Sequence, residues 1–456
     1  MNARVNDLAQ YYRCPETLIQ TVTREPLSDA TGYFRVGSET CYGRLFEASP
    51  SVSQRDVLRD VTAGIVTENG TTYLPFDLAQ VAANLRCEVY AEDWRAGALK
   101  SAISTMYYFV RPLLPVNVRK YLQRIHLRGW DKLSFPRWPV DCTIDNLFGR
   151  LLLVVLRSQN LKQIPFIWFW PDGASSCAMM THDVEATPGR DFCKTLMDID
   201  DAFGIKSSFQ VVPEERYEVT PEFLESIRTR GFEVVIHDLN HDGGFYRSRA
   251  EFLQRAAKIN AYGKKFGAQG FRAGVLYRKQ LWYDALSFEY DMSVPSVAHL
   301  DPQRGGCCTV MPYFVGSILE LPVTMTQDYT LFHVLSDYSI ELWKKQIALI
   351  MEKHGLINFI VHPDYIESPR ERSVYEELLA YLTDLRNEQG LWIAKPGEVN
   401  RWWRQRAKME LVEGAEGWEI QGEGKEQACL AFASEEDGRL VFNVQKSAKS
   451  QIHSLQ

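Results

Sequence analysis

The chain has no Cys-x-x-Cys pair, no apolar run long enough to cross a bilayer and no excess of positive charge. Each absence closes a class. Its nine cysteines (positions 14, 41, 87, 142, 177, 193, 307, 308 and 429) are odd in number and scattered, with 307–308 the only cluster. Neither a disulfide framework nor a thiolate metal knot is expected from that spacing. Reduced thiols in a reducing compartment are. The longest apolar runs, such as 151–156, fall far short of the roughly 20 residues a membrane helix needs. The first sixteen residues, MNARVNDLAQYYRCPE, contain no apolar core of a secretory signal. A cytoplasmic location is therefore the expectation. A net charge of −7 argues against a dedicated nucleic-acid binder. What remains is an ordinary globular composition, 45% hydrophobic and 24% charged, over 456 residues. That length suggests roughly two to three domains.

Residues 1–105 show short strand-like pieces (32–36, 63–66, 72–75) between Gly, Asn and Ser turns, and a candidate helix at 78–85. Residues 107–138 differ in charge. Arg111, Arg119, Lys120, Arg124, Arg128, Lys132 and Arg137 face one acid, Asp131, with aromatics and leucines interleaved. That composition suits a peripheral contact with the inner face of a membrane or a patch for phosphates. It equally suits a helix pair with solvated arginines. A helix is expected at 144–158, then an aromatic-rich stretch ending in a Pro-Asp-Gly turn.

From residue 174 the pattern becomes regular. Strands are expected at 177–185, 206–213, 232–237, 268–273, 318–325, 356–362 and 391–394. Helices are expected between them, at about 189–203, 220–231, 248–266, 278–289, 339–354 and from 368. Thr220-Pro221 and Ser248-x-x-Glu251 supply helix starts. Such β-α alternation with short buried strands indicates a parallel sheet or an α/β barrel, whose sites lie at the strand C-terminal ends. Residues 409–445 alternate again and read as a small antiparallel β unit. The expected division is 1–173, 174–406 and 407–456.

The strand ends carry the chemistry. The first ends in Asp183-Val184-Glu185, and strand alternation aims both carboxylates the same way while Val184 packs inward. Two carboxylates side by side are costly unless a cation or a proton transfer uses them. A capping loop is the plain alternative. The third ends in His237-Asp-Leu-Asn-His241, the fourth in Arg272, and the seventh in His362. His237 and His241, four apart, can hold one metal if a helical turn follows the strand. A carboxylate from the first strand would complete a two-His, one-carboxylate set with open positions. The other carboxylate could then act as general base, His362 as general acid, and Arg272 could orient the base.

On these residues the chain resembles the polysaccharide deacetylases of carbohydrate esterase family four. Thr181-His182-Asp183-Val184-Glu185 stands where the family has Thr-Phe-Asp-Asp-Gly. His237-Asp238-Leu239-Asn240-His241 matches its His-Ser/Thr-x-x-His in spacing. Arg272-Ala273-Gly274 stands for Arg-x-Pro, Ile360-Val361-His362 for Leu-x-His, and Tyr290-Asp291-Met292-Ser293 for a Tyr-Asp-Ser-Ser run. The ending 392–398 with Trp402-Trp403 also looks like the family's last strand and helix. The resemblance covers about 174–406.

It implies a distorted (β/α) barrel flanked by an N-terminal α+β region and a small C-terminal β unit. It implies a divalent metal, zinc foremost, and removal of N-acetyl groups from a glycan or lipid-linked sugar in polysaccharide biosynthesis. Carried over, Asp183 is the base, Glu185, His237 and His241 are ligands, His362 is the acid, and Arg272 and Asp291 support the reaction. Val184 replaces the usual second aspartate, so the swap, Asp183 as ligand, stays open. So do hydrolysis of a non-glycan amide, which Asp-x-Glu variants of the family perform, and a non-catalytic carbohydrate-binding role.

Overall fold

The computed structural model describes residues 7–91, 127–415 and 417–445. The chain forms two compact units: Met1–Arg86 with Cys142–Ser176 and Val399–Gln456, and Cys87–Asp141 with Cys177–Glu398.

The first unit is α+β. A hairpin (Gly32–Val36 with Glu39–Gly43) and a three-stranded sheet (Thr21–Thr23, Thr71–Leu74, Val66–Glu68) accompany the helices Leu78–Arg86 and Thr143–Ser158. The C-terminal hairpin Leu430–Glu436/Arg439–Gln445 is antiparallel, as its alternation suggests, and adds the strand Ile164–Ile167 as a third member. Arg406 is buried there and is satisfied by the carbonyls of Tyr11, Tyr12, Ile167 and Trp168.

The second unit is a curled, nine-stranded sheet with helices outside it. Its strands are β1 (Cys177–Val184), β2 (Ser208–Val211), β3 (Glu233–His237), β4 (Gly270–Arg272), β5 (Tyr290–Asp291), β6 (Tyr313–Val315), β7 (Ile318–Glu320), β8 (Leu356–Ile360) and β9 (Trp392–Ile393). The order is β6-β7-β5-β4-β3-β2-β1-β8, with β9 also paired to β1, and only β6 is antiparallel. All eight residues of β1 are buried, the signature of a parallel strand covered on both faces. Helices α1 (Thr187–Ala202), α2 (Pro221–Thr229), α3 (Arg249–Phe266), α4 (Glu341–Met351) and α5 (Pro369–Gln389) make the crossovers. Their starts are the expected ones: Thr220 Oγ1 accepts from Phe223 N and Ser248 Oγ from Glu251 N, each at 3.2 Å.

The strand expected at 63–66 is a three-ten turn, Thr62–Gly64, with a strand only from Val66, and in the second unit two expected elements differ. In place of a helix at 278–289 there is a three-ten turn, Gln280–Ala285. Tyr283 reaches inward to Asp291 while its neighbour Trp282 packs on Phe252, and a tight turn serves both. The strand expected at 318–325 stops at Glu320. Pro322 lacks the N–H a ladder needs. The chain instead runs irregularly alongside β8, with Thr324 Oγ1 donating to Leu356 O (2.7 Å) and Met325 N to Asn358 O (3.3 Å). Asn358, wholly buried, donates to the carbonyls of Leu321 and Pro322 at 3.1 and 3.2 Å. These bonds draw the far end of the sheet against β8 and curl it.

Of the basic segment, Arg111, Arg119, Lys120 and Arg124 lie outside the described residues. Among the described residues no helix is long and apolar enough to cross a membrane.

Candidate metal centre and active site

The site lies where the C-terminal ends of β1, β3, β4 and β8 converge. In β1 the alternation holds. Thr181 and Asp183 face Arg272, whose Nη1 donates to Thr181 Oγ1 (2.8 Å) and Asp183 Oδ1 (2.7 Å). His182 and Val184 face the other way, His182 towards Asp200 at 3.2 Å. Glu185 follows the strand and shares the side of Asp183: His237 Nε2 lies 3.6 Å from Asp183 Oδ2 and 3.6 Å from Glu185 Oε1. The strand end is pinned by Tyr217, whose hydroxyl donates to Val184 O (2.8 Å) and accepts from Val212 N (3.0 Å).

His237 and His241 do meet, with ring centroids 4.8 Å apart, but not on a helical turn. The loop after β3 is a bend in which Asp238 and His241 take positive φ, 58° and 54°. Asp238 Oδ1 accepts from Leu239 N (2.7 Å), and Asp238 N donates to Arg272 O (2.9 Å). The aspartate thus supplies a local turn, and left-handed backbone at non-glycine residues marks a loop shaped by more than propensity.

The two imidazoles present nitrogens that could hold a metal. His237 Nδ1 lies 3.2 Å from Arg272 O, an acceptor only, so Nδ1 carries the proton and Nε2 presents a lone pair. Nε2 of His237 and of His241 are buried and make no hydrogen bond, although Glu185 Oε1 stands 2.9 Å from the latter, off the N–H line. Donor atoms of Glu185, His237 and His241 all lie within 4.8 Å of one another. Buried nitrogens without partners, converging on a carboxylate, fit a divalent ion of borderline softness, and the His237–carbonyl bond is the outer support such ligands use. Asp183, Glu185 and His362 form a second, overlapping set.

Charge is balanced accordingly. Burial pushes the Asp183 carboxyl up, but Arg272, then His237 and His362, outweigh it, and it sits below its ordinary value. Burial likewise opposes Glu185, yet the three histidines hold it well below the ordinary range. His241 is raised, burial being overcome by Glu185.

His362 Nε2 lies 3.4 Å from Glu185 Oε1. Its Nδ1 is 2.7 Å from Asp328 Oδ1, and its backbone N–H donates to Asp328 Oδ2 at 2.7 Å. Burial pushes the imidazole down, but Asp328 and then Glu185 raise it well above its ordinary value. Tyr365 backs the ring at 4.7 Å. Neither Asp328 nor Tyr365 was picked out from the sequence. Asp328 sits in the irregular run after β7, where strand-end reasoning does not look.

Asp291 is placed apart from this cluster. Its Oδ1 accepts from Tyr283 Oη (2.9 Å) and Ser293 N (2.8 Å). Burial raises it, and Glu320 beside it more strongly. Its link to the site is indirect: the next residue, Met292, gives its carbonyl to Arg272 Nε at 3.0 Å.

No protein-family model matches the chain, and no curated protein matches it. The chain is similar in fold to solved polysaccharide deacetylases. One is a Mycobacterium smegmatis protein described as a polysaccharide deacetylase (19% identity, TM-score 0.43, 52% of this chain and 93% of that one). Another is the peptidoglycan deacetylase PdaC of Bacillus subtilis (14%, TM-score 0.33, 51% and 94%). The PuuE allantoinase is similar to a like extent (13%, TM-score 0.41, 52% and 92%).

Proposed function

We propose that the second unit is a metal-dependent amide hydrolase that removes N-acetyl groups from a glycan or lipid-linked sugar. The observation that carries the hydrolase is the division of two adjacent carboxylates between two partners, Asp183 with Arg272 and Glu185 with the histidine pair. The acetyl group and the sugar come from the motif resemblance at Asp183, His237, His241, Arg272 and His362.

Glu185, His237 and His241 would hold the ion, zinc being the best match to two imidazoles and one carboxylate. Such an ion supplies Lewis acidity to the acyl carbonyl. Arg272 fixes Asp183 by one oxygen and keeps it ionised, so the other oxygen can take the proton of the attacking water as its oxygen bonds to the carbonyl carbon. His362, held protonated and oriented by Asp328, gives its Nε2 proton to the departing nitrogen as the C–N bond breaks. Acetate and a free amine result, and the two proton transfers balance. Asp291 supports this arrangement through the Met292 carbonyl that seats Arg272.

The test separates the two carboxylates. Asp183→Asn is expected to keep the metal and lose about 10²–10⁴-fold in acetate release. His237→Ala is expected to lose both. If His237→Ala left metal content and acetate release unchanged, the reading would be wrong. The Asp-x-Glu spacing favours one other reading, hydrolysis of a small non-glycan amide. A panel of N-acetyl sugars giving no acetate, with turnover of small amides, would select it.

A further inference from the structure

The other face of β1 carries a polar cluster that the proposed reaction does not use. His182 and Asp200 are wholly buried. Asp200, in α1, accepts from Tyr375 Oη of α5 at 2.6 Å through Oδ1 and from Ser207 Oγ at 2.7 Å through Oδ2. The same Oδ2 lies 3.2 Å from His182 Nε2. The His182 ring lies among aromatic ones, with Phe209 at 5.1 Å and Tyr375 at 6.0 Å. An apolar ring would suit that place, and the motif that this stretch resembles has phenylalanine there. A buried imidazole costs free energy unless its nitrogens are satisfied. Both are satisfied, and the second bond leads back to the site.

That bond runs from His182 Nδ1 to Val361 O at 3.1 Å. A carbonyl only accepts, so Nδ1 carries the proton. β8 ends at Ile360, and the peptide linking Val361 to His362 lies beyond it. Side chains hold both polar groups of that one peptide. Its oxygen accepts from His182, and its N–H, that of His362, donates to Asp328 Oδ2 at 2.7 Å. Asp328 Oδ1 in turn meets His362 Nδ1 at 2.7 Å. A continuous chain of hydrogen bonds therefore runs from α1 through His182 and the peptide to Asp328 and the His362 ring. Bonds in such a chain polarise one another. A planar peptide held at both its oxygen and its N–H also fixes the Cα from which the His362 side chain projects.

We propose that His182, anchored by Asp200, is a positioning residue for His362: it fixes the peptide that precedes the proposed acid, so that Asp328 can orient the ring. The proposal rests on the hydrolase reading above, in which His362 protonates the departing nitrogen. It concerns this chain in particular, because a phenylalanine at 182 has no group to give to Val361 O.

The experiment compares His182→Phe, His182→Gln and His182→Asn in the full zinc-loaded chain. Phenylalanine fills the apolar pocket and offers no hydrogen bond. The amide nitrogen of asparagine stands about where Nδ1 is, and that of glutamine about where Nε2 is. His182→Phe and His182→Gln are expected to lower kcat for acetate release from an N-acetyl sugar by roughly 10- to 100-fold, with KM and zinc content unchanged. His182→Asn should restore most of the rate. Amide hydrogen exchange, followed by NMR in protein isotopically labelled at valine and histidine, reads the clamp without turnover. Exchange at the His362 N–H should accelerate in His182→Phe and His182→Gln but not in His182→Asn, while Val234 and Val235 of β3 keep their rates. Unchanged kcat or unchanged His362 exchange in His182→Phe would overturn the proposal. So would equal losses in all three variants, or faster exchange at β3 as well, the mark of a residue that only holds the core together. If the unaltered protein releases no acetate while the exchange pattern is as expected, the deacetylase reading fails and the clamp stands.

Discussion

Two neighbouring carboxylates sit in different environments because different partners reach them. Arg272 holds one oxygen of Asp183, while three histidine nitrogens surround Oε1 of Glu185. The pH dependence follows. Asp183 is depressed, so the proposed base is lost only as pH falls through a value below the ordinary carboxylate range. His362 is raised, so the proposed acid is lost as pH climbs through a value well above that of a free imidazole. Activity is therefore expected to hold across neutral pH. Asp328→Asn removes the largest upward push on His362 and should move the alkaline limb of kcat to lower pH, read from a pH–rate profile. His241 is also raised, so a proton would compete with the proposed ion there. Zinc affinity is expected to weaken as pH falls, with proton release on binding measurable by calorimetry in buffers of different ionisation heat. At this scale the sequence brings out Asp183, Glu185, His237, His241, Arg272 and His362 because each lies at, or within four residues beyond, the C-terminal end of a strand, and strand ends are countable. Asp328 was not, since its neighbours MTQDYT carry no periodic pattern and its place depends on how the sheet curls.

The elements explain why these residues converge. β1 and β8 are eight- and five-residue buried strands that hydrophobic runs reveal directly. The loop after β3 is different. The four-residue spacing of its histidines suggests a helical turn, but left-handed backbone at Asp238 and His241 does the work, and positive φ at an aspartate and a histidine leaves no trace in hydrophobic periodicity. That loop packs against the turn at Gly274, where an added Cβ would lie 2.6 Å from Asp238 Oδ2 and 2.9 Å from His241 Cδ2. Gly274→Ala should therefore displace His241 and lower zinc affinity with little change in melting temperature, measured by metal titration beside a thermal melt. Asn358 makes the contrasting case. Replacing it by Ala leaves the carbonyls of Leu321 and Pro322 without their donor, at a cost of about 1–3 kcal/mol. Its effect should appear in the melt.

For the whole molecule, β-α alternation was enough to foresee a parallel or barrel-like sheet over 174–406. Local pattern could not show that the 430–445 hairpin takes the strand Ile164–Ile167 as a partner more than 260 residues earlier, because ladder pairing between distant strands leaves no local mark. The basic segment at 107–138 keeps its own test. If it meets an anionic membrane, the protein should pellet with anionic lipid vesicles at low salt, and reversing the charges of Arg119 and Arg124 should abolish this. An unchanged pellet would refute membrane contact without touching the site. The most direct measurement of the central claim is acetate release from an N-acetylated glycan by protein stripped with a chelator and titrated back with Zn²⁺. The expected result is loss of activity on stripping and recovery at one equivalent, with no recovery in Glu185→Gln. A stripped protein that releases acetate at the original rate would contradict a metal-dependent hydrolase.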